Sequence, residues 1–118
     1  MEQLTVYYNP DCSKCKKLKI LLSSQDLDIK WVNYLENPLT EVELTALLKK
    51  MGSQPSAVIR LTEEERAGLS EEELFQRLAE EPTTLNRPII ERKQTAFLCR
   101  PLDIIKEKMP EYDWSDYL

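Results

Sequence analysis

Two cysteines near the N-terminus are the residues whose types and spacing are best suited to chemistry. Cys12 and Cys15 form a C-x-x-C motif that follows an apolar segment and the turn-forming pair Asn9-Pro10. A lysine-rich segment with helical periodicity comes next, so Cys12 is predicted to lie at the N-terminus of a helix. The free N–H groups and the positive end of the helix dipole there favour a thiolate or a bound oxyanion. Cys15 lies one turn further on, where it is placed to form a disulfide with Cys12 and is a candidate resolving thiol.

Zinc binding or simple burial could also account for this cysteine pair. A structural zinc site needs four ligands, whereas the chain offers only Cys99 beyond the pair and contains no histidine. The sequence therefore predicts no metal site and excludes mechanisms that pair a cysteine with a histidine. Burial of the two thiols as small apolar residues stays open. Cys99 ends an apolar segment and is interpreted as a core residue.

Three arginines are candidates for binding an anion beside the cysteine. Arg60, Arg87 and Arg100 each stand at the boundary of a predicted element, and the last two precede Pro88 and Pro101. A planar guanidinium binds a tetrahedral oxyanion through two hydrogen bonds. With a cysteine-bearing helix N-terminus, the three would form an oxyanion pocket, although composition alone does not bring them together.

Length, charge and hydropathy limit the class of protein. The chain of 118 residues is predicted to be a single domain, residues 1–118, with a core of its own. A net charge of −5 argues against broad binding to nucleic acid, and the two glycines exclude glycine-rich phosphate loops. No apolar run is long enough to cross a membrane and no secretory leader is visible. We therefore expect a cytoplasmic protein whose thiols are kept reduced.

The first elements that must position Cys12 form a βαβ unit. Residues 4–8 and residues 28–35 are predicted strands, and a helix runs between them from residue 13 to about residue 23. A strand, a helix and a strand in so few residues require a parallel pair with a crossover. The predicted helix carries its apolar side chains on one face: Cys15, Leu18, Leu21 and Leu22.

Three helices are predicted in the middle of the chain. The first begins at the capping residue Thr40 and ends at Gly52. A short helix is expected over residues 55–60, and a third begins at the capping residue Ser70. Many glutamates in this part are interpreted as a solvated face rather than a binding surface.

The last third is predicted to contain two strands, residues 87–91 and residues 95–99, and a helix that starts at Pro101. Without its helical middle, the chain has the βαβ–ββα order of a thioredoxin-like fold. The predicted fold is α/β: a mixed four-stranded sheet formed by residues 1–36 and 83–110, with an inserted helical subdomain over about 38–82. In such folds a C-x-x-C motif at the first strand–helix junction carries redox chemistry.

The sequence resembles the arsenate reductase (ArsC) family of thioredoxin-fold proteins. The matching segments run from residue 7 to residue 101 in the family's order and spacing: Tyr7-x-Asn9-Pro10-x-Cys12, Arg60, Leu85-Asn86-Arg87-Pro88-Ile89-Ile90 and Leu98-Cys99-Arg100-Pro101. The resemblance implies that the peptide between Arg87 and Pro88 is cis and lies next to the active cysteine.

The resemblance also implies a role for each candidate residue. Cys12 would be the nucleophile, and arsenate would be held by Arg60, Arg87 and Arg100. Asn9 and Lys16 are further candidates for substrate binding. The implied protein is a monomeric arsenate reductase without a bound cofactor, which takes its electrons from glutathione or from reduced glutaredoxin or thioredoxin.

Three positions depart from the family's reductases. Those enzymes often carry a histidine where this chain has Tyr8, typically lack a cysteine at position 15, and have an arginine where Lys16 stands. A C-x-x-C motif instead resembles the redox-sensing transcription regulators of the same family (Spx), which bind RNA polymerase. The complete arginine set favours the reductase, while the regulator and a general thiol–disulfide oxidoreductase without arsenate activity stay open.

Overall fold

The computed structural model of the chain describes residues 1–115 and residue 118. Its centre is a four-stranded mixed sheet in the order β2-β1-β3-β4, with β1 at Glu2–Tyr8, β2 at Leu27–Asn33, β3 at Ile89–Glu91 and β4 at Ala96–Leu98. β1 pairs in parallel with β2 and antiparallel with β3, and β3 forms an antiparallel hairpin with β4. The predicted α/β class and mixed four-stranded sheet are confirmed.

Strand β2 is shorter than predicted at its C-terminal end. It stops at Asn33, whereas the sequence pattern continued the strand to Leu35. The Asn33 side-chain oxygen accepts a hydrogen bond from the Leu35 N–H at 3.0 Å, and this local bond turns the chain.

Helix α1, Ser13–Ser23, packs on one face of the sheet, as its apolar spacing predicted. The side chains of Leu18 and Leu22 are fully buried there against Leu4 and Val6 of β1. The cluster also includes residues from the hairpin and the C-terminal region: Ile90, Phe97, Cys99, Ile105, Met109 and Trp114. Packing of α1 against this core holds its N-terminal turn, and therefore Cys12, beyond the carboxyl end of the central strand β1.

Helix α2 (Glu41–Met51) packs on the opposite face of the sheet, and helix α4 (Glu71–Glu80) joins the same apolar cluster; both lie between β2 and β3 in the sequence. Both begin at the predicted capping residues, Thr40 and Ser70, each within a capping box. Gly52 ends α2 in the left-handed conformation, with φ of 63°, as a glycine at that position favours.

One helix of this region was missed. Helix α3, Glu63–Arg66, begins at Thr62, whose hydroxyl accepts from the Glu65 N–H while the Glu65 carboxylate accepts from the Thr62 N–H. This is the same threonine-to-glutamate capping signal that marks α2, but it lies within the run of glutamates that was interpreted only as a solvated surface.

The short helix predicted over residues 55–60 is wrong beyond its first turn. A 3₁₀ helix covers only Pro55–Ala57, after which Ile59 forms an isolated antiparallel bridge with Leu85. The β-branched Val58 and Ile59 are buried, and extended backbone suits them better than a helix. Two short hydrogen bonds complete the pairing, from the Arg60 N–H to the Thr84 oxygen and from the Asn86 N–H to the Val58 oxygen, both at 2.7 Å.

The C-terminal region departs from the predicted continuous helix. A 3₁₀ turn, Leu102–Ile104, precedes the short helix α5, Ile105–Lys108. The following residues return to the core, where Trp114 is buried and its indole N–H donates to the Met109 oxygen at 2.9 Å. Asp116 and Tyr117 lie outside the described residues. Among the helices that are described, none has the length and apolar character needed to cross a membrane.

Candidate active site

Cys12 occupies the N-cap of α1, as the sequence predicted. Its backbone is extended, with φ of −90° and ψ of 120°, so the chain enters the helix through a turn rather than a straight continuation. Asn9 builds that turn: its backbone oxygen accepts from the Cys12 N–H at 3.0 Å, and its side-chain oxygen accepts from the Asp11 N–H at 2.9 Å. Asn9 is itself buried, which holds the geometry of the turn.

The surroundings of the Cys12 thiol favour its ionised form. Burial opposes ionisation, but the nearby N–H groups of Cys15 and Lys14, the Cys15 thiol and the Arg87 side chain favour the negative charge on the sulfur and outweigh that cost. Together they lower the pKa of Cys12 to about 7. A large fraction of Cys12 is therefore thiolate at neutral pH, which is the nucleophilic form of a cysteine.

The other two thiols are held in the neutral form. Burial raises the pKa of Cys15 to about 11, and the hydrogen bond to Cys12 and the charge of its sulfur act in the same direction. Burial likewise raises the pKa of Cys99 to about 12. Cys99 is fully buried within the core cluster, with its sulfur 3.6 Å from the Leu102 oxygen, as expected for a core residue. All three cysteines are unbridged in the structure.

Arg87 and Arg100 meet at the Cys12 sulfur. Arg100 Nη1 lies 3.9 Å from Cys12 Sγ and donates to the Arg87 carbonyl oxygen at 3.2 Å. The hairpin brings the two arginines together, because the Cys99 N–H donates to the Pro88 oxygen at 2.9 Å. The Arg87–Pro88 peptide is cis, as the resemblance implied, and the Arg100–Pro101 peptide is also cis.

Arg60 joins the site through a cavity shared with Arg87. This cavity, here called the arginine cavity, has a volume of about 560 Å³, and its wall includes Asn9, Arg60, Asn86 and Arg87. The bridge between Ile59 and Leu85 places Arg60 beside this wall, where its side chain is exposed. The structure thus brings Arg87 and Arg100 to Cys12, while Arg60 lines the approach.

Lys16 lies elsewhere. It lines a separate groove of about 270 Å³, here called the Cys15 groove, whose wall also includes Tyr8, Pro10, Cys15, Lys19 and Trp31. None of the three arginines contributes to the wall of this groove, and Asn9 borders both it and the arginine cavity. The candidate residues therefore divide into two groups on either side of the Asn9 turn.

Two residues that sequence reasoning did not select support the arginines. The Asn86 side-chain oxygen accepts from the Arg87 N–H at 3.0 Å, and Tyr34 is buried with its hydroxyl donating to the Leu85 oxygen at 3.1 Å. Burial raises the pKa of Tyr34, so this hydroxyl stays protonated. Asn86 was visible within the Leu-Asn-Arg-Pro motif, whereas Tyr34 fell within the predicted strand at residues 28–35 and was given no role.

Comparison with known families gives a match over most of the chain. A model of the ArsC family matches residues 7–108, which include both cysteines and all three arginines of the site.

The chain belongs to the ArsC family. The arsenate reductase of Escherichia coli (strain K12) is 30% identical over 118 residues, covering 94% of this chain and 84% of that protein. The uncharacterised protein YfgD of the same strain is also 30% identical, over 90% of this chain and 96% of its own length. The solved structure of an arsenate reductase from Vibrio cholerae superposes with a TM-score of 0.79 at 30% identity, covering 90% of this chain and 97% of that one.

These similarities confirm the thioredoxin-like ArsC fold. They also support a thiol-dependent reductase as the general class of this ArsC-family protein.

Proposed function

We propose that this protein reduces arsenate to arsenite with Cys12 as the nucleophile. The observation that carries the proposal is the Cys12 sulfur at the N-cap of α1, 3.9 Å from the Arg100 guanidinium. A thiolate and an oxyanion repel one another, so their reaction needs fixed positive charge around both. Arg87 and Arg100 supply that charge, and relatives named arsenate reductase make arsenate the first oxyanion to test.

The arginine cavity is proposed as the entry route for arsenate. Arg60 is exposed in its wall and would attract the anion, while Arg87 borders both the cavity and Cys12. The Nε atom of Arg87 is buried without a hydrogen-bond partner among the described residues. A buried donor of this kind calls for an acceptor, and an arsenate oxygen would satisfy it.

The reaction would proceed in two steps at the cysteine pair. The Cys12 thiolate attacks arsenic, an S–As bond forms, and one arsenate oxygen takes up protons and leaves as water. The Cys15 sulfur, after losing its proton to solvent, then attacks the Cys12 sulfur. The new S–S bond forms as the S–As bond breaks, and the released electron pair reduces As(V) to As(III), which departs as arsenite.

The high pKa of Cys15 suits this order. Burial raises it most, but the charged Cys12 sulfur contributes. Once Cys12 is bonded to arsenic, its sulfur no longer carries that charge, and Cys15 ionises more readily. The Cys15 thiol thus stays protonated until Cys12 has reacted with arsenic.

Electrons to restore the two thiols would come from glutathione or from reduced glutaredoxin or thioredoxin. No bound cofactor is needed for this chemistry, and every residue it uses comes from one chain, so a monomer suffices. The cytoplasm, where such reductants keep thiols reduced, is the proposed compartment.

The decisive experiment is arsenate-dependent NADPH oxidation, run in parallel with the glutathione/glutaredoxin system and with the thioredoxin system. Cys12→Ser should lose more than 99% of activity because it has no thiolate, whereas Cys99→Ala, a change at a thiol outside the site, should keep most of it. Arsenate reduction by Cys12→Ser would overturn the proposal. A wild-type protein that exchanges disulfides but does not reduce arsenate would be a general thiol–disulfide oxidoreductase.

The role of Cys15 needs its own variant. Cys15→Ser should abolish thioredoxin-linked turnover, because no internal disulfide can form. Full turnover of this variant with glutathione and glutaredoxin, together with a wild type that never uses thioredoxin, would show that Cys15 is not the resolving thiol.

A further inference from the structure

Tyr34 is a buried polar residue that has no part in the reaction proposed above. It follows β2 directly, is 1% exposed, and has the largest side chain among the fully buried residues that the structure describes. Its hydroxyl donates to the Leu85 carbonyl oxygen at 3.1 Å, across 51 residues of sequence. A buried tyrosine normally has a partner for its hydroxyl, so the informative feature is the segment to which this partner belongs.

The Leu85 carbonyl belongs to the part of the chain that carries two of the candidate arginines. Residues 58–60 and 84–87 are paired through the isolated bridge described above, and each segment ends in an arginine of the site. The pair of segments is here called the arginine unit. The backbone hydrogen bonds of the bridge do not use the Leu85 carbonyl, and among the described residues Tyr34 is its one donor. The Tyr34 hydroxyl therefore links the arginine unit to the end of β2.

The backbone of Tyr34 is held beside the turn that positions Cys12. Asn33, the preceding residue, pairs with the last residue of β1, and the chain runs from there into the Asn9 turn. Burial raises the pKa of the Tyr34 hydroxyl, while the charge of Arg87 and the Asn9 side chain lower it, which shows that both lie near this oxygen. One side chain thus reaches from the turn that holds the thiol to the unit that holds the arginines.

We propose that Tyr34 is a positioning residue of the oxyanion site, whose hydroxyl holds the arginine unit where Arg87 serves both the Cys12 thiolate and the bound anion. This inference rests on the proposed function only for the identity of that anion. It gives a residue outside the reacting groups a share in the reactivity of the thiol and in the binding of the substrate.

The position of Arg87 matters because the effect of its charge falls with distance. The Arg87 side chain favours the Cys12 thiolate, and its buried Nε atom has no hydrogen-bond partner among the described residues. Without the Tyr34 hydroxyl, the buried Leu85 carbonyl loses its donor and can regain a hydrogen bond only by moving. Such a movement would displace Arg87 from the sulfur and from the place proposed for an arsenate oxygen.

The test compares Tyr34→Phe with the wild type. Phenylalanine keeps the ring that fills the apolar cluster and removes only the hydroxyl, so the variant is expected to fold. The midpoint of Cys12 alkylation should rise by about 0.5 pH unit, because the displaced Arg87 favours the thiolate less. At about pH 8.5, where Cys12 is largely ionised in both proteins, KM for arsenate should rise roughly three- to tenfold while kcat changes less than about twofold.

Two further variants separate positioning from a general loss of stability. Tyr7→Phe removes a comparable hydrogen bond, since the Tyr7 hydroxyl donates to the Glu91 carboxylate at 2.7 Å, and it should change neither the alkylation midpoint nor KM. Tyr34→Phe combined with Arg87→Ala should have the same alkylation midpoint as Arg87→Ala alone, because Tyr34 acts through Arg87. The urea midpoint of each variant, measured alongside, shows whether the two phenylalanine variants lose similar stability.

Three results would overturn the inference. The first is an unchanged alkylation midpoint in Tyr34→Phe. The second is an equal shift in Tyr7→Phe, which would indicate a general loosening of the fold. The third is a full further shift when Tyr34→Phe is added to Arg87→Ala, which would show that Tyr34 acts without Arg87.

The alkylation measurements need no arsenate, so they separate this inference from the proposed function. A midpoint that shifts in Tyr34→Phe but not in Tyr7→Phe, in a protein that does not reduce arsenate, would support the role of Tyr34 and contradict arsenate as substrate. Arsenate reduction that depends on Cys12, with a wild-type midpoint and KM in Tyr34→Phe, would support the proposed function and overturn the role of Tyr34.

Discussion

The guanidinium of Arg100 lies 3.9 Å from the Cys12 sulfur and 3.2 Å from the Arg87 carbonyl oxygen. One side chain at the end of the hairpin therefore touches both the candidate nucleophile and the backbone of a second arginine. Arg100 and Cys12 are 88 residues apart in the sequence. The fold therefore places a positive charge from the last third of the chain beside the thiol at the N-terminus of its first helix.

Cys12 should be alkylated according to a pH profile centred near neutrality. Because its pKa is lowered to about 7, the reactive thiolate fraction should fall as the pH drops through 7 and level off above about 8. Cys15, whose pKa is raised to about 11, should react chiefly above pH 10. Iodoacetamide labelling resolved for each cysteine by mass spectrometry measures both profiles, and coincident profiles would contradict the assignment.

The Cys15 thiol is expected to be a hydrogen-bond donor that stabilises the Cys12 thiolate. Cys15→Ala removes this donor and should move the midpoint of Cys12 alkylation to higher pH, by about one pH unit if the bond contributes roughly 1.4 kcal/mol. Cys15→Ser keeps a donor at the same place and should shift the midpoint less. If the alanine and serine variants have the same midpoint as the wild type, the backbone N–H groups and Arg87 are sufficient to stabilise the Cys12 thiolate without the Cys15 thiol.

The local structure around Cys12 could be predicted from sequence, but the positions of the arginines relative to one another and to Cys12 could not. Strand, turn and helix around Cys12 follow from apolar spacing, from Asn9-Pro10 and from the C-x-x-C motif, all within a few residues. The meeting of Arg60 with Arg87 depends on the bridge between Ile59 and Leu85. No local pattern reveals such a pairing of distant segments, and the nearby Pro55 instead suggested a helix.

Helix α3 and the Cys15 groove were not predicted for a similar physical reason. Helix α3 carries a capping box at Thr62 that local reasoning could have found, but its four residues bury none of their side chains fully and so leave no apolar periodicity. The Cys15 groove combines side chains from β1, α1 and β2, and its two lysines resemble any solvated helix face until Trp31 is seen beside them.

Arg87 and Arg60 should affect arsenate reduction differently. Arg87 borders the cavity and favours the Cys12 thiolate, so Arg87→Ala should both weaken arsenate binding and raise the pKa of Cys12. Arg60 is exposed and lines only the cavity, so Arg60→Ala should raise KM by up to about tenfold with an unchanged alkylation profile. Steady-state kinetics paired with the alkylation profile separate the two roles. Unchanged kinetics in both variants would mean that arsenate binds elsewhere.

Arg92 is expected to stabilise the fold by connecting the two ends of the chain. Its guanidinium donates to Glu2 at 2.6 and 2.9 Å and to Glu111 at 2.6 Å. Arg92→Ala should lower the free energy of unfolding by about 1–3 kcal/mol in urea titrations, because hydrogen bonds between charged groups are lost. Lys93→Ala, a change of the exposed neighbouring cation, should stay within about 0.5 kcal/mol.

The stabilisation by Arg92 should depend on pH. Its hydrogen bonds to Glu2 lower the pKa of that carboxyl from the ordinary value of 4.5, so the unfolded chain binds this proton more tightly than the folded one. The stabilisation is therefore complete above pH 4.5 and is lost as the pH falls below it. The difference between wild type and Arg92→Ala should shrink between pH 7 and pH 3, and a constant difference would contradict the role of the ion pair.

Trp114 is expected to anchor the C-terminal segment to the core. Its side chain is 3% exposed and joins the cluster formed by α1 and the sheet, and its indole N–H donates to the Met109 oxygen at 2.9 Å. Trp114→Ala should lower the free energy of unfolding by about 3–5 kcal/mol through lost burial, and Trp114→Phe by about 1 kcal/mol through the lost hydrogen bond. Urea unfolding followed by circular dichroism avoids any dependence on tryptophan fluorescence.

Val42→Ala, at a side chain 80% exposed on α2, is the control and should change stability by less than about 0.5 kcal/mol. Should Trp114→Ala prove as mild as Val42→Ala, the segment after α5 would contribute nothing to the stability of the fold.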